Sequence, residues 1–265
     1  MRLLLLSAVG GLCLSTLPAI AASPFDGTWK VDFKSGTFDQ KPDVMILQDG
    51  MFDCQTCSPP YKMIADGKVH KVTGRDYADA MSIGVVDDAT VKSESYKDGK
   101  KYAEQSRKVS ADGAVMTVNW SSSYAADGKT RTGTTVLKRT GPGPAGAHAV
   151  SGSWVPEVTE ATAMNAPDAG IFTISIDGNR VKYKSMIGES YEAQFGGPAV
   201  PIVGDRAGQT VSVRRISDTV IEETNYLKGT ATGVNTITLV DSKTVKMSSK
   251  DLRAGFVDEI MARKQ

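Results

Sequence analysis

The chain has 265 residues, with 31 Lys and Arg against 30 Asp and Glu and only two histidines. So balanced a charge offers no steering field to nucleic acid or to anionic lipid, and neither is expected as a partner. Two histidines are too few for most acid–base schemes, so no catalytic residue, cofactor or metal is expected and the chain is not read as an enzyme.

Residues 1–21 read as an export signal. Arg2 is a minimal basic start, Leu3 to Leu17 form an apolar run too short to span a bilayer, and Ala19-Ile20-Ala21 suits signal peptidase. Leu12 directly before Cys13 is bulky where lipoprotein processing wants a small residue. The expected location is therefore periplasmic or secreted. No later stretch approaches the ~20 apolar residues of a membrane helix, so no membrane span is expected.

After the leader the sequence repeats itself. Asp26-Gly27-Thr28-Trp29 is answered by Val150-Ser151-Gly152-Ser153-Trp154. Further on, Tyr61, Gly67, Gly74, Ser82, Asp88, Tyr96 and Gly99 fall on Tyr191, Gly197, Gly204, Ser212, Asp218, Tyr226 and Gly229 at a constant offset. Such self-similarity marks a duplicated unit. The expected organisation is a first barrel at 24–140, a Gly- and Pro-rich linker at 141–149 and a second barrel at 150–265.

Within each copy the apolar residues alternate with period two. Trp29, Val31 and Phe33 share one face, as do Met116, Val118 and Trp120, and later Phe172, Ile174 and Ile176. Asp-Gly pairs such as Asp49-Gly50, Asp98-Gly99 and Asp177-Gly178 separate these runs and suit tight hairpins. No long 3.6-residue period appears outside the leader. The expected fold is all-β, two tandem antiparallel up-and-down barrels, since closure removes exposed sheet edges.

Gly27-Thr28-Trp29 and Gly152-Ser153-Trp154, each followed by hairpins and a late basic strand, resemble the lipocalin-like, or calycin, barrels. The phrases around Phe25–Lys30, Cys54–Tyr61 and Gly146–Trp154 are similar to a group of exported bacterial lipocalin-like proteins with no assigned biochemical role. The resemblance implies that each Trp closes a barrel floor and that a cation on the last strand covers its ring. Arg139 and Arg263 are the candidates, in contacts of ~0.5–2 kcal/mol. It also implies, at most, a cavity that holds a ligand.

Cys54 and Cys57 remain after leader removal. A Cys-x-x-Cys pair can be a local disulfide, a redox pair or half a zinc site. The following Ser58-Pro59-Pro60 opens no helix to stabilise a thiolate, which favours the disulfide. His70 and His148 read as surface or half-buried groups, and Glu222 and Glu223 as strand neighbours on opposite faces. Tyr61, Tyr96, Tyr191 and Tyr226 are the candidate ligand-binding residues, because a phenol with an apolar body suits a barrel mouth.

Two functions compete. One is an exported carrier holding a small apolar or amphipathic molecule. The other is an envelope structural or protein-interaction module with filled barrels and no ligand, for which Met45, Met51 and the Cys54–Cys57 hairpin form the expected contact.

Overall fold

The computed structural model describes residues 23–38, 41–157 and 170–265; the expected leader at 1–21 lies outside the described residues. Every regular element among them is a strand. No helix there is long and apolar enough to cross a membrane. The strands form two nearly closed, ten-stranded antiparallel barrel-like sheets.

One sheet is contiguous in sequence. It comprises β2 (Asp43–Gln48), β3 (Met51–Cys54), β4 (Tyr61–Ile64), β5 (Asp66–Lys71), β6 (Ala80–Asp87), β7 (Thr90–Lys97), β8 (Lys100–Val109), β9 (Val115–Ser122), β10 (Arg131–Pro142) and β11 (Gly152–Glu157). Its order is β4-β3-β2-β11-β10-β9-β8-β7-β6-β5.

The other sheet takes β1 (Gly27–Thr37) from the start of the chain. It joins β12 (Ile171–Asp177), β13 (Arg180–Lys184), β14 (Ser190–Gln194), β15 (Val200–Pro201), β16 (Thr210–Ser217), β17 (Val220–Leu227), β18 (Thr230–Asp241), β19 (Thr244–Asp251) and β20 (Val257–Lys264). Here β1 sits between β12 and β20.

The boundaries expected at 24–140 and 150–265 therefore do not delimit the barrels. The two Gly-x-Trp strands are exchanged: the first closes the second barrel, and the second, β11, closes the first. The stretch 141–149 is not an interdomain linker. Its first two residues belong to β10, and the rest turns back within one barrel, held by bonds such as Ser151 N to His148 O and His148 N to Leu47 O, both 2.9 Å. The physical reason is local closure: β11 follows β10 after a short connection, and a short loop costs little entropy to close. Internal similarity marks where the copies begin, but it does not say which sheet a strand enters.

The duplication is visible in the backbone. Register shifts fall between Val85 and Asp87 and between Ser95 and Tyr96 in one barrel, and between Arg215 and Ser217 and between Asn225 and Tyr226 in the other. The Gly99 and Gly229 turns both carry positive φ, 74° and 80°.

Each barrel is built on a tryptophan. Trp29 and Trp154 have no exposed surface, and their indole N–H groups donate to Phe25 O and Val150 O, each at 2.9 Å. Arg139 lies over Trp154 with its guanidinium carbon 4.0 Å from the ring centroid, opposite it across the β10–β11 ladder. The same guanidinium donates to Gly113 O, Ser151 O and Ala149 O.

Over Trp29 the cation is Lys264, with Nζ 5.3 Å from the centroid, and not the expected Arg263. The register explains the correction. Lys264 pairs with Trp29 and Ala262 with Val31, which places Arg263, between them, on the outer face. The expected Arg139 contact is made, but to the tryptophan of the other copy.

The glycine of each motif follows from this arrangement. Gly27 and Gly152 have φ of 138° and 135°, and a Cβ would stand 2.7 Å from Lys264 Cε or 2.5 Å from Gly141 O. Around the tryptophans lie two separate cores. The first includes Met45, Phe52, Met81, Ile83 and Met116; the second includes Phe172, Ile174, Val213, Ile221 and Ile237. Replacing Gly152 by Ala is expected to lower unfolding stability by at least about 2 kcal/mol in urea titration, through backbone strain and the lost seat for Arg139.

Candidate functional site

Strand register separates what each barrel turns inward from what it turns out. In the first barrel Ile83 pairs with Ser93, Ser93 with Gln105 and Val91 with Arg107. Ser93, Gln105 and Arg107 therefore share the face of the buried Ile83 and Val91, and sit above the methionine-rich floor. Tyr61 pairs with the buried Cys54 and also faces inward, in contact with Phe52 at 6.0 Å between ring centroids.

Arg107 is the unusual member of this set. The guanidinium is desolvated, which lowers its pKa, with Tyr61 and Asp43 opposing that trend. Its side chain nonetheless retains intermediate accessibility, as do Tyr61, Gln105 and Trp120. These groups are packed by protein and remain partly reachable by water. The hydrogen-bond acceptors of Arg107 are the neutral Ser93 hydroxyl, at 2.9 Å, and the Gln105 side-chain carbonyl. No carboxylate among the described residues lies within ion-pair distance of it. Burial raises the Asp43 pKa, so Asp43 is a weakened counterion for Arg107.

Arg75 lies over the Tyr61 ring, 4.6 Å from its centroid, and donates to Pro59 O at 3.2 Å. Cys54 and Cys57 are joined as a disulfide, with Cα atoms 5.5 Å apart. The bridge belongs to the same rim, since Cys54 is buried and Cys57 and Tyr61 pack on the first core. The described residues include no cluster of three or more metal-capable side chains, so the Cys pair does not complete a zinc site there.

The second barrel has the same inward positions with different chemistry. Val213 pairs with Glu223, Glu223 with Asn235 and Ile221 with Ile237. Glu223, Asn235 and Ile237 thus stand where the first barrel has Ser93, Gln105 and Arg107. Tyr191 donates its hydroxyl to Glu223, and Asn235 Nδ2 donates to the other carboxyl oxygen at 3.4 Å. Tyr183 stacks on Tyr191 at 5.4 Å in the position that Cys54 occupies in the first barrel. Burial raises the pKa of Glu223 and also that of Tyr191, where the nearby carboxyl adds to the effect. One interior therefore carries a cation and the other a carboxyl group.

The four candidate tyrosines divide between the faces. Tyr61 and Tyr191 face inward. Tyr96 and Tyr226 are corrected to the outer face: Tyr96 donates to Glu94 at 2.5 Å, and the Tyr226 hydroxyl is 3.3 Å from Ser212 Oγ, on the side away from the core. Their outward position follows from plain alternation: Tyr96 keeps the phase of Glu94, and Tyr226 that of Glu222, each opposite to the inward set. Arg107 and Glu223 were the residues that sequence reading missed; the signal available was partial, since only one alternate neighbour of each is apolar, Val109 for Arg107 and Ile221 for Glu223. Glu222 and Glu223 do point to opposite faces, Glu222 pairing with Arg214 outside.

The histidines are both engaged. His70 Nε2 is 2.8 Å from Asp66. His148 accepts from Val150 N through Nδ1, so its Nε2 donates to Asp87 O at 2.7 Å. Met45 is buried in the first core and Met51 half-buried, so the two form no common exposed contact.

No protein-family model matches the chain, and a comparison with curated proteins returns no match either.

The buried Glu223 gives a pH prediction. A carboxyl whose folded pKa is raised stabilises the fold fully below its unfolded value, ~4.3, and loses that contribution as pH rises through the folded value. Glu223→Gln is therefore expected to flatten the decline in thermal midpoint above about pH 4, and to leave the variant more stable than the parent at pH 8.

Proposed function

We propose that the protein is an exported binding protein whose first barrel holds a small amphipathic molecule, its apolar part toward the methionine floor and an acidic end toward Arg107. The observation that carries this reading is Arg107: a desolvated cation, open to water, whose bonded partners are neutral. A buried cation without a paired carboxylate is costly, and an incoming anion would offset that cost.

Below it, Met45, Met63, Met81 and Met116 are buried, and methionine repacks readily around irregular apolar shapes. The basic start, apolar run and Ala19-Ile20-Ala21 site support export. The resemblance to lipocalin-like barrels supports a cavity inside the sheet. In the second barrel, Tyr191, Glu223 and Asn235 bond to one another at the corresponding level, which favours a scaffold role for that half.

Dodecanoate and dodecanol, titrated calorimetrically into the full chain, separate the two parts of this proposal. Arg107→Gln is expected to weaken dodecanoate binding at least ~10-fold, the worth of one charged hydrogen bond, and to leave dodecanol unchanged. If dodecanoate does not bind the parent protein, or binds the variant equally well, the acidic-ligand reading fails and the filled-barrel interaction module becomes the better description.

A further inference from the structure

A trough of about 690 Å³ crosses β6 to β10. Ser93, Gln105, Trp120 and Gly133 of the inward phase border it, but most of its lining, including Ser82, Ser106, Asn119, Ser121 and Thr134, belongs to the outer face. Register places these residues outside: Ser82 pairs with Glu94, Glu94 with Glu104, Ser106 with Asn119 and Asn119 with Thr134, all out of phase with the inward set.

The second barrel has the same face with different side chains. Arg214 and Glu222 stand where the first barrel has Gly84 and Lys92, and they form an ion pair at 2.5 Å. Lys246 and Glu259 stand at the positions of Thr117 and Thr134 and pair at 2.8 Å. The first barrel carries its ion pairs elsewhere on this face, at Glu94, Lys101 and Glu104, where the second has Thr224, Ala231 and Val234.

We infer that this trough is a binding site for an uncharged oligosaccharide. Its floor offers hydroxyls and an amide, groups that both donate and accept, as sugar hydroxyls do. The carboxylates of Glu94 and Glu104 stand at the rim as strong acceptors, and Lys92 adds a donor. Lys101 already pairs with both carboxylates, at 2.9 and 2.8 Å, so the rim has no large excess of either sign to select a charged ligand. At one end Gly67 and Gly84 meet closely enough that a Cβ on Gly84 would stand 3.0 Å from Gly67 Cα. With the half-exposed Val85 and Val86 they give a flat C–H surface for a pyranose face.

An extended peptide is disfavoured, because β6 to β10 are each paired on both sides and offer no free backbone edge to an added strand.

The test uses amide chemical-shift mapping on the full chain with cellotriose, chitotriose and maltotriose, each up to about 10 mM, the weak end of specific recognition. At least one is expected to shift resonances of β6 to β10 saturably. Thr117→Lys/Thr134→Glu, which imports the ion pair the second barrel already carries, is expected to weaken that binding at least ~10-fold. An unchanged thermal midpoint would establish that the variant is folded. The inference is overturned if none of the three sugars shifts the trough, if the shifts map elsewhere, or if the double variant binds with parental affinity.

Discussion

The cation over each tryptophan is the contact on which the architecture turns. Arg139 and Lys264 do more than cover a ring: each also bonds to backbone carbonyls of the segment leading into its Gly-x-Trp strand, Arg139 to Ala149 and Ser151 and Lys264 to Pro24. The glycine two residues before the tryptophan is the space that this side chain needs. One cation thus ties the last strand of a barrel to the strand that closes it. Asp26 and Ser151 reinforce the joint from the other side, accepting from Ile176 N and Leu47 N respectively.

Much of the fold was legible in the sequence. Period-two alternation located β1, β9 and β12, and the Asp-Gly pairs at 49–50 and 98–99 mark turns with positive φ at both residues. The exchange of the two closing strands was not legible, for a physical reason. Both copies begin with the same motif, so either strand satisfies either tryptophan seat, and the choice rests on loop lengths and on which neighbour is closer along the chain. Lys264 was missed by one residue, which on a strand is the difference between inside and outside. Of the candidate tyrosines, Tyr61 and Tyr191 face the interior, while Tyr96 and Tyr226 stand out of phase with Val91 and Ile221 on their own strands and so face outward, a parity that the sequence already carried.

The two barrels share a frame and differ in what they do with it. Inside, Ser93, Gln105 and Arg107 are answered by Glu223, Asn235 and Ile237; outside, a hydroxyl-lined trough is answered by ion pairs. They also meet each other. Ala126 N donates to Ile187 O at 3.0 Å, Gln209 donates to the Tyr77 hydroxyl at 2.6 Å, and Arg206 approaches the Tyr124 ring at 5.3 Å. Gly204 belongs to this contact, because a Cβ there would come within 2.4 Å of Ala126 Cβ. Its counterpart Gly74 faces open space, so a glycine kept for a turn in one copy serves the junction in the other.

The placement of β1 between β12 and β20 also sets an order of assembly. A chain that emerges from its amino end presents β1 before any strand that can pair with it. The first barrel is complete once Glu157 has emerged; β1 gains one neighbour when Ile171–Asp177 follows, but its other edge stays unpaired until Val257–Lys264 arrives and Gln265 N can donate to Thr28 O, 2.9 Å away. Strand β1 is thus held on one side long before the other, and a chain cut short before β20 would leave one edge of it open beside a finished neighbour.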